Sequence, residues 1–200
     1  MNSLLVTYIL QTEKWTSPEL FETKNRIYTF LNPVSYLIAL ENKSLFKQFD
    51  GIFADGSLLV SAIRLVYGKR VTRRSFDMTS LAPELLNYLM ESRKTLYIVA
   101  SGQEQVECSV RIFQEQYPEL HIAGFRNGYF SSDAEMNKEA SHIVELNPDF
   151  LIVGMGALMQ EKFLLKVKKM GYQGIGFTCG GFVHQTAMNR MHYYPDWLIR

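Results

Sequence analysis

Short apolar, β-rich runs alternate with longer segments of helical periodicity along this chain. Arg26–Leu31 reads as a strand, followed by a helix from Pro33 to about Glu41. Gly51–Ala54 reads as a short strand, followed by a helix from Gly56 to about Tyr67. Ser80–Ser92 is helical, with Pro83 tolerated in the first turn. The rhythm then becomes regular. Strands at Thr95–Ala100, His121–Ala123, Phe150–Val153 and Gln173–Thr178 are separated by helices at Gln103–Tyr117, Asp133–Leu146 and Leu158–Met170. Strands joined by single helices pair in parallel through right-handed crossovers. The second half is therefore expected to be a Rossmann-like three-layer α/β unit with a mostly parallel sheet. The first half is less regular and is expected to form a smaller N-terminal α/β lobe. The chain reads as one domain with lobes at 1–93 and 94–200 and its seam near Arg93–Lys94.

In such sheets ligands bind beyond the carboxyl ends of the strands. The segments at those ends are Asn32–Pro33, Asp55–Gly56, Ser101–Gly102, Arg126–Phe130, Gly154–Ala157 and Cys179–Gly181. They are polar or glycine-rich where each strand should stop. Folding alone also places glycines and helix caps at such points, so the distribution marks where a site would be, not what it does.

Composition narrows the classes. The chain has 200 residues, 47% of them apolar and 20% charged, which is globular rather than disordered. A net charge of +1 argues against a nucleic-acid footprint over the whole surface. The apolar runs Ser3–Leu10 and Leu151–Met159 are far shorter than the roughly 20 residues of a spanning helix. No signal-peptide pattern opens the chain, and a cytosolic protein is expected. Cys108 and Cys179 belong to no metal-binding spacing, and His121, His142, His184 and His192 are scattered, so both cysteines read as small apolar residues.

The motifs exclude more than they assign. Gly154-Met155-Gly156 follows an apolar strand as a dinucleotide fingerprint does, but Met159 stands where the third glycine belongs. The acidic residue expected about 20 positions later is also absent. That weakens a nucleotide-cofactor oxidoreductase while leaving phosphate at a helix N-terminus open. Gly51 and Gly56 have P-loop spacing, but Ser57-Leu58 replaces the Lys-Ser/Thr pair. There is no Gly-x-Ser-x-Gly and no Asp-x-Asp. A diphosphate would have to be met by side chains and backbone amides. Lys69, Arg70, Arg73 and Arg74 supply cations, and the same cluster reads equally as a solvated helix end. Asp55 is either a helix cap or a general base projecting from a strand end, and Gln160-Glu161 carry the same ambiguity.

Five segments together are more specific. "FADGSLLVSAIRL", "RRSFDMTSLAP", "YPELHIAGFRNGYF", "NPDFLIVGMGALMQEKF" and "GFTCGGFVHQTA" resemble, in order and spacing, the WecG/TagA/CpsF glycosyltransferase family (glycosyltransferase family 26) from about Asn25 to Trp197. The resemblance implies an inverting, metal-independent hexosyl- or N-acetylhexosaminyl-transferase. It would move a sugar from a UDP-sugar onto a polyprenyl-diphosphate-linked saccharide in bacterial surface polysaccharide synthesis. On that pattern Asp55 matches the catalytic base. Asn32, Arg73, Gln160 and Glu161 match substrate- and donor-binding positions. Gly56, Gly154, Gly156, Gly180, Gly181 and Gln185 complete the expected donor site, with Arg74 a second cation near the leaving diphosphate and no metal.

The departures from the family pattern are informative. Gly156-Ala157-Leu158-Met159 replaces Gly-x-Pro before Gln-Glu, Gly180-Gly181-Phe182-Val183-His184 lacks the family's aspartate, and Tyr193-Tyr194-Pro195-Asp196-Trp197 replaces Arg-Ala-Pro-x-Trp. These changes suggest a hexosyl rather than an N-acetylmannosaminyl donor. Family members continue past this tryptophan with a basic, aromatic tail that reaches the membrane. The chain stops at Arg200, so that tail is expected to be missing. The expected place of work is the inner face of the cell membrane, as a peripheral protein. No nucleic-acid partner is expected, and a homo-oligomer stays open. The alternative of another class is a sugar-nucleotide-binding module without catalysis, which would keep the glycine loops but need no base at Asp55.

Overall fold

The computed structural model describes residues 4–189. Six strands form one parallel sheet: β1 (Arg26–Leu31), β2 (Gly51–Ala54), β3 (Thr95–Ala100), β4 (His121–Arg126), β5 (Phe150–Gly154) and β6 (Ile175–Thr178), in the order β2-β1-β6-β5-β3-β4. The parallel α/β reading is borne out. The strands of the first half extend the same sheet, because Arg26–Tyr28 pair with Ile175–Phe177.

Alternation along the strands builds the layers. Tyr97, Val99, Leu151 and Val153 enter the core cluster on one face, and Leu96, Ile98, Phe150 and Ile152 enter the cluster on the other. The first face is covered by α1 (Leu4–Thr12), α3 (Pro33–Glu41), α4 (Lys43–Phe46), α5 (Ser57–Tyr67), α8 (Asp133–Leu146) and α9 (Met159–Lys169). The second is covered by α2 (Ser17–Glu22), α6 (Leu81–Ser92), α7 (Gln103–Gln116) and α10 (Phe182–Asn189). Phe177 stacks on Tyr28 at 5.1 Å within this second layer.

Several elements differ from the sequence reading. α1, α2, α4 and α10 lie in stretches for which the sequence gives no element. β4 runs to Arg126 rather than ending at Ala123, and β6 begins at Ile175 rather than Gln173. β4 is an edge strand and, unlike β2 at the other edge, is only partly buried along its length, so its apolar signal is weak. At the amino end of the sheet Asp50 ties the strands together. It accepts from the Ile27 N–H at 2.9 Å, from Arg26 at 2.7 Å and from Lys168 at 2.6 Å.

The chemistry has room at the opposite end. After β3 the chain turns into α7 on one face, and after β5 into α9 on the other. Adjacent strands whose helices leave to opposite sides open a crevice between them, which is where open α/β sheets bind ligands.

Candidate active site

A cavity of about 900 Å³ occupies that end of the sheet. It is at the large end of the roughly 300–1,000 Å³ range of ligand clefts. It collects Asn32 after β1, Asp55 after β2, Ser101 and Gly102 after β3, Gly154–Ala157 after β5 and Cys179–Gly181 after β6. Tyr129, from the loop beyond β4, stands at the wall with 74% of its surface exposed. Arg126 fixes this loop by lying 4.0 Å above the Phe130 ring and donating to the Tyr129 carbonyl at 2.8 Å. Gly154 must be glycine because a Cβ would come within 2.6 Å of the Gly180 carbonyl oxygen. That closeness lets the β5 and β6 ends share one wall. Helices α7, α9 and α10 begin at the cavity, and a first-turn N–H group without a partner there is suited to an anionic ligand.

Asp55 is not the cap of α5. The N-cap is Gly56, whose φ of 83° is a left-handed conformation suited to glycine. The bond assigned to the Asp55 carboxylate is from the Gly56 N–H, not from the N2 or N3 amides that a capping side chain takes. Burial pushes the carboxyl up from 3.8 to about 6, and the negative charge of Asp77 adds to the rise. Arg73 and the Gly56 N–H pull the other way. A carboxylate held near neutrality in a cleft suits general-base work.

Arg73 reaches this region because residues 71–74 run beside the end of β2, where the Arg74 N–H donates to the Ala54 carbonyl at 2.9 Å. Its guanidinium donates to Asp77 Oδ2 at 2.7 Å and to Thr79 Oγ1 at 3.1 Å. Asp77 lines the cavity and also accepts from Ser75 and from the Thr79 N–H. Arg73 is therefore behind the wall, committed to Asp77. Arg74 turns away: it donates to the Trp15 carbonyl at 2.8 Å and lies over Phe53 at 5.2 Å. Its expected place beside the diphosphate is corrected, since those contacts fix it as a structural tie. Lys69 and Arg70 are exposed and outside the cavity.

Gln160 and Glu161 divide their work. Gln160 lines the cavity, and its Oε1 accepts the Gly180 N–H at 3.2 Å. Glu161 is fully buried behind it. Its carboxylate accepts from Gln160 Nε2 at 2.9 Å, Thr29 Oγ1 at 2.9 Å and the Leu158 N–H at 2.7 Å. Thr178 Oγ1 in turn donates to Thr29 Oγ1 at 2.9 Å. Burial raises the Glu161 carboxyl, and these bonds pull it down. The chain from Thr178 to Gly180 thus sets the Gln160 amide. The expected contact of Glu161 with a ligand becomes a supporting role.

The remaining expectations divide. Asn32, Gly156, Gly180, Gly181 and Gln185 line the cavity as expected. Asn32 caps α3 by accepting the Ser35 N–H at 2.9 Å, leaving its Nδ2 for a ligand. Gly56 shapes the turn after Asp55 rather than lining the cavity. Cys179 is buried, and its thiol is pushed up to about 12, which removes it as a nucleophile. The Tyr193–Trp197 segment lies outside the described residues. Asp77, Gln105 and His184 are cavity residues that sequence reading missed, whereas Tyr129 lies in the Arg126–Phe130 segment that it marked. Asp77 stands four residues after Arg73, but the segment between them is not helical, so that spacing by itself carried no signal of their pairing.

Fold and cavity together define a parallel α/β protein with a ligand-sized cleft at the carboxyl ends of its strands. The chain belongs to the glycosyl transferase WecG/TagA/CpsF family, which matches it over residues 10–200. It is 33% identical to a UDP-Gal:alpha-D-GlcNAc-diphosphoundecaprenol beta-1,4-galactosyltransferase of Shigella boydii, across 87% of this chain and 72% of that protein. It is 22% identical to an N-acetylglucosaminyldiphosphoundecaprenol N-acetyl-beta-D-mannosaminyltransferase of Bacillus subtilis (strain 168), across 100% of this chain and 76% of that protein. The protein is a glycosyltransferase.

Proposed function

We propose that this protein transfers a hexose, galactose in the first instance, from a UDP-sugar to N-acetylglucosaminyl-diphosphoundecaprenol or a near analogue. The reaction is a single displacement with inversion and needs no divalent metal. The observation that carries the reading is Asp55, a carboxylate tuned to about 6 in the wall of a cleft of sugar-nucleotide size. The acceptor hydroxyl gives its proton to Asp55 as its oxygen attacks the anomeric carbon. The bond to the UDP oxygen breaks on the opposite face, and UDP leaves with its electron pair. Donors that meet the growing diphosphate charge count most in such a transition state. The helix N-termini at the cavity fill that role, and Arg73 adds positive potential from behind Asp77. The galactosyl donor is favoured because the Shigella boydii relative uses UDP-Gal, and a β-linked product from an α-linked nucleotide sugar is an inversion. The acceptor is a membrane lipid, so the protein works at the inner face of the cell membrane as a peripheral protein. No helix among the described residues is long and apolar enough to cross a membrane.

The test is a panel of UDP-sugars offered with a short-chain lipid-diphosphate acceptor, with and without a chelator. Transfer of galactose in β linkage, undiminished by chelation, is expected. Tighter binding of NAD than of UDP, or dependence on magnesium or manganese, contradicts the reading.

A further inference from the structure

Among the described residues the most exposed large apolar side chains, besides Tyr129 and Met188, all lie on α3 and α5. On α5, Leu59 and Ile63 face the core. Leu58, Leu65 and Val66 are 69%, 87% and 68% exposed, and with the exposed Ala62 they recur at i, i+4, i+7 and i+8. The helix therefore carries a second apolar stripe that nothing among the described residues covers. On α3, Val34 and Leu37 are 68% and 64% exposed one turn apart. Apolar surface gathered this way on a soluble domain marks a contact surface.

Charge says what the contact is. From Gly56 to Phe76 there is no aspartate or glutamate. Arg64 in the last turn of α5 and Lys69 and Arg70 just beyond it are exposed, with no ion pair among the described residues. An apolar stripe beside uncompensated cations is the composition of a helix that lies in an anionic lipid interface. A second copy of the chain fits less well, since a two-fold contact would set this cationic stretch against itself. Both helices begin at the cavity, α3 at Asn32 and α5 one residue after Gly56.

We propose that the exposed faces of α3 and α5, with Arg64, Lys69 and Arg70, dock the protein on an anionic phospholipid surface so that Asp55 meets an acceptor held at headgroup level. A helix of 11 residues is on the order of 16 Å long, so the whole stripe lies within that distance of the site. This rests on the lipid-linked acceptor of the proposed function, and the test separates the two.

The experiment is flotation of the 200-residue protein with vesicles of phosphatidylcholine alone or mixed with phosphatidylglycerol, without substrates. Two variants are compared, Leu65→Glu/Val66→Glu and Lys69→Glu/Arg70→Glu, each checked for UDP binding and melting temperature. The parent is expected to float with the mixed vesicles and to release in high salt. Each variant is expected to lose roughly tenfold or more of that affinity. Both should keep parental turnover on a short-chain acceptor while losing turnover on acceptor embedded in the mixed vesicles. Parental flotation by folded variants overturns the proposal, as does failure of the parent to float. A parent dimer that the Leu65→Glu/Val66→Glu change splits without altering flotation also overturns it, showing a protein contact instead. Absence of short-chain turnover in the parent counts against the proposed function alone, because flotation is read without it.

Discussion

Asp77 and Asp55 line one cavity, and the charge of Asp77 joins burial in holding the Asp55 carboxyl at about 6. If Asp55 is the base, activity needs its carboxylate form and falls as pH drops through that value. Removing the Asp77 charge makes Asp55 easier to ionise. Asp77→Asn is therefore expected to move the acid limb of the kcat/KM profile to lower pH. A limb that stays in place, or moves up, contradicts the coupling.

Arg73 acts on the same carboxyl with the opposite sign. Arg73→Met is expected to move the acid limb to higher pH. Arg73→Lys keeps the charge but not the two-pronged hold on Asp77 and Thr79. A loss of roughly tenfold in kcat, with a smaller change in the acid limb, is expected from steady-state kinetics. Kinetics unchanged by Lys would show that the fork is dispensable.

Leu158 enters α9 at φ 73° and ψ −42°, a conformation that L side chains rarely adopt. Such a residue costs about 1–3 kcal/mol and persists only where its surroundings hold it. Here the buried Glu161 carboxylate accepts the Leu158 N–H. Glu161→Gln puts an amide donor among three donors and is expected to destabilise the fold by about 1–3 kcal/mol. It should weaken UDP binding through the loosened Gln160. Leu158→Gly relieves the strain, and is expected to raise the melting temperature of the parent and to recover part of the Glu161→Gln loss. A Leu158→Gly protein less stable than the parent would remove strain as the explanation.

The sheet was legible where strands are buried on both faces. β1, β2, β3 and β5 are apolar runs that stop at Asn32, Asp55, Ser101 and Gly154, and both signals are local. What local pattern does not carry is which elements meet across the chain. β1 and β2 join the second-half strands only because β1 pairs with β6 at a separation of about 150 residues. The same limit holds in the site. Asp55 and Gln160 were visible as polar residues at strand and helix ends. Whether Glu161 faces ligand or core depended on Thr29, 132 positions away. Arg73 and Arg74 are neighbours with equal claims on a phosphate, and the Trp15 carbonyl decides against Arg74.

Asp55 also leaves a stability signature. Its folded pKa is raised from 3.8 to about 6, so keeping it ionised costs the native state. Its contribution is complete below pH about 4 and is lost as pH rises through about 6. Asparagine bears no such cost. Asp55→Asn is expected to melt above the parent at pH 7–8, by an amount on the order of 1 kcal/mol after allowance for its partial exposure. The gain should vanish near pH 4. A variant less stable than the parent at pH 7–8 would assign Asp55 a structural role.

Turnover by that same variant tests the central claim most directly. Asparagine keeps the shape of the side chain but cannot take a proton as a carboxylate does, and general-base catalysis typically contributes about 10²–10⁴-fold. Transfer from UDP-galactose to the short-chain lipid-diphosphate acceptor is measured for parent and Asp55→Asn, alongside UDP binding. The expected result is a folded protein that binds UDP as the parent does and turns over at least about a hundredfold more slowly. Near-parental turnover by a folded, UDP-binding Asp55→Asn protein would contradict the assignment of Asp55 as the base.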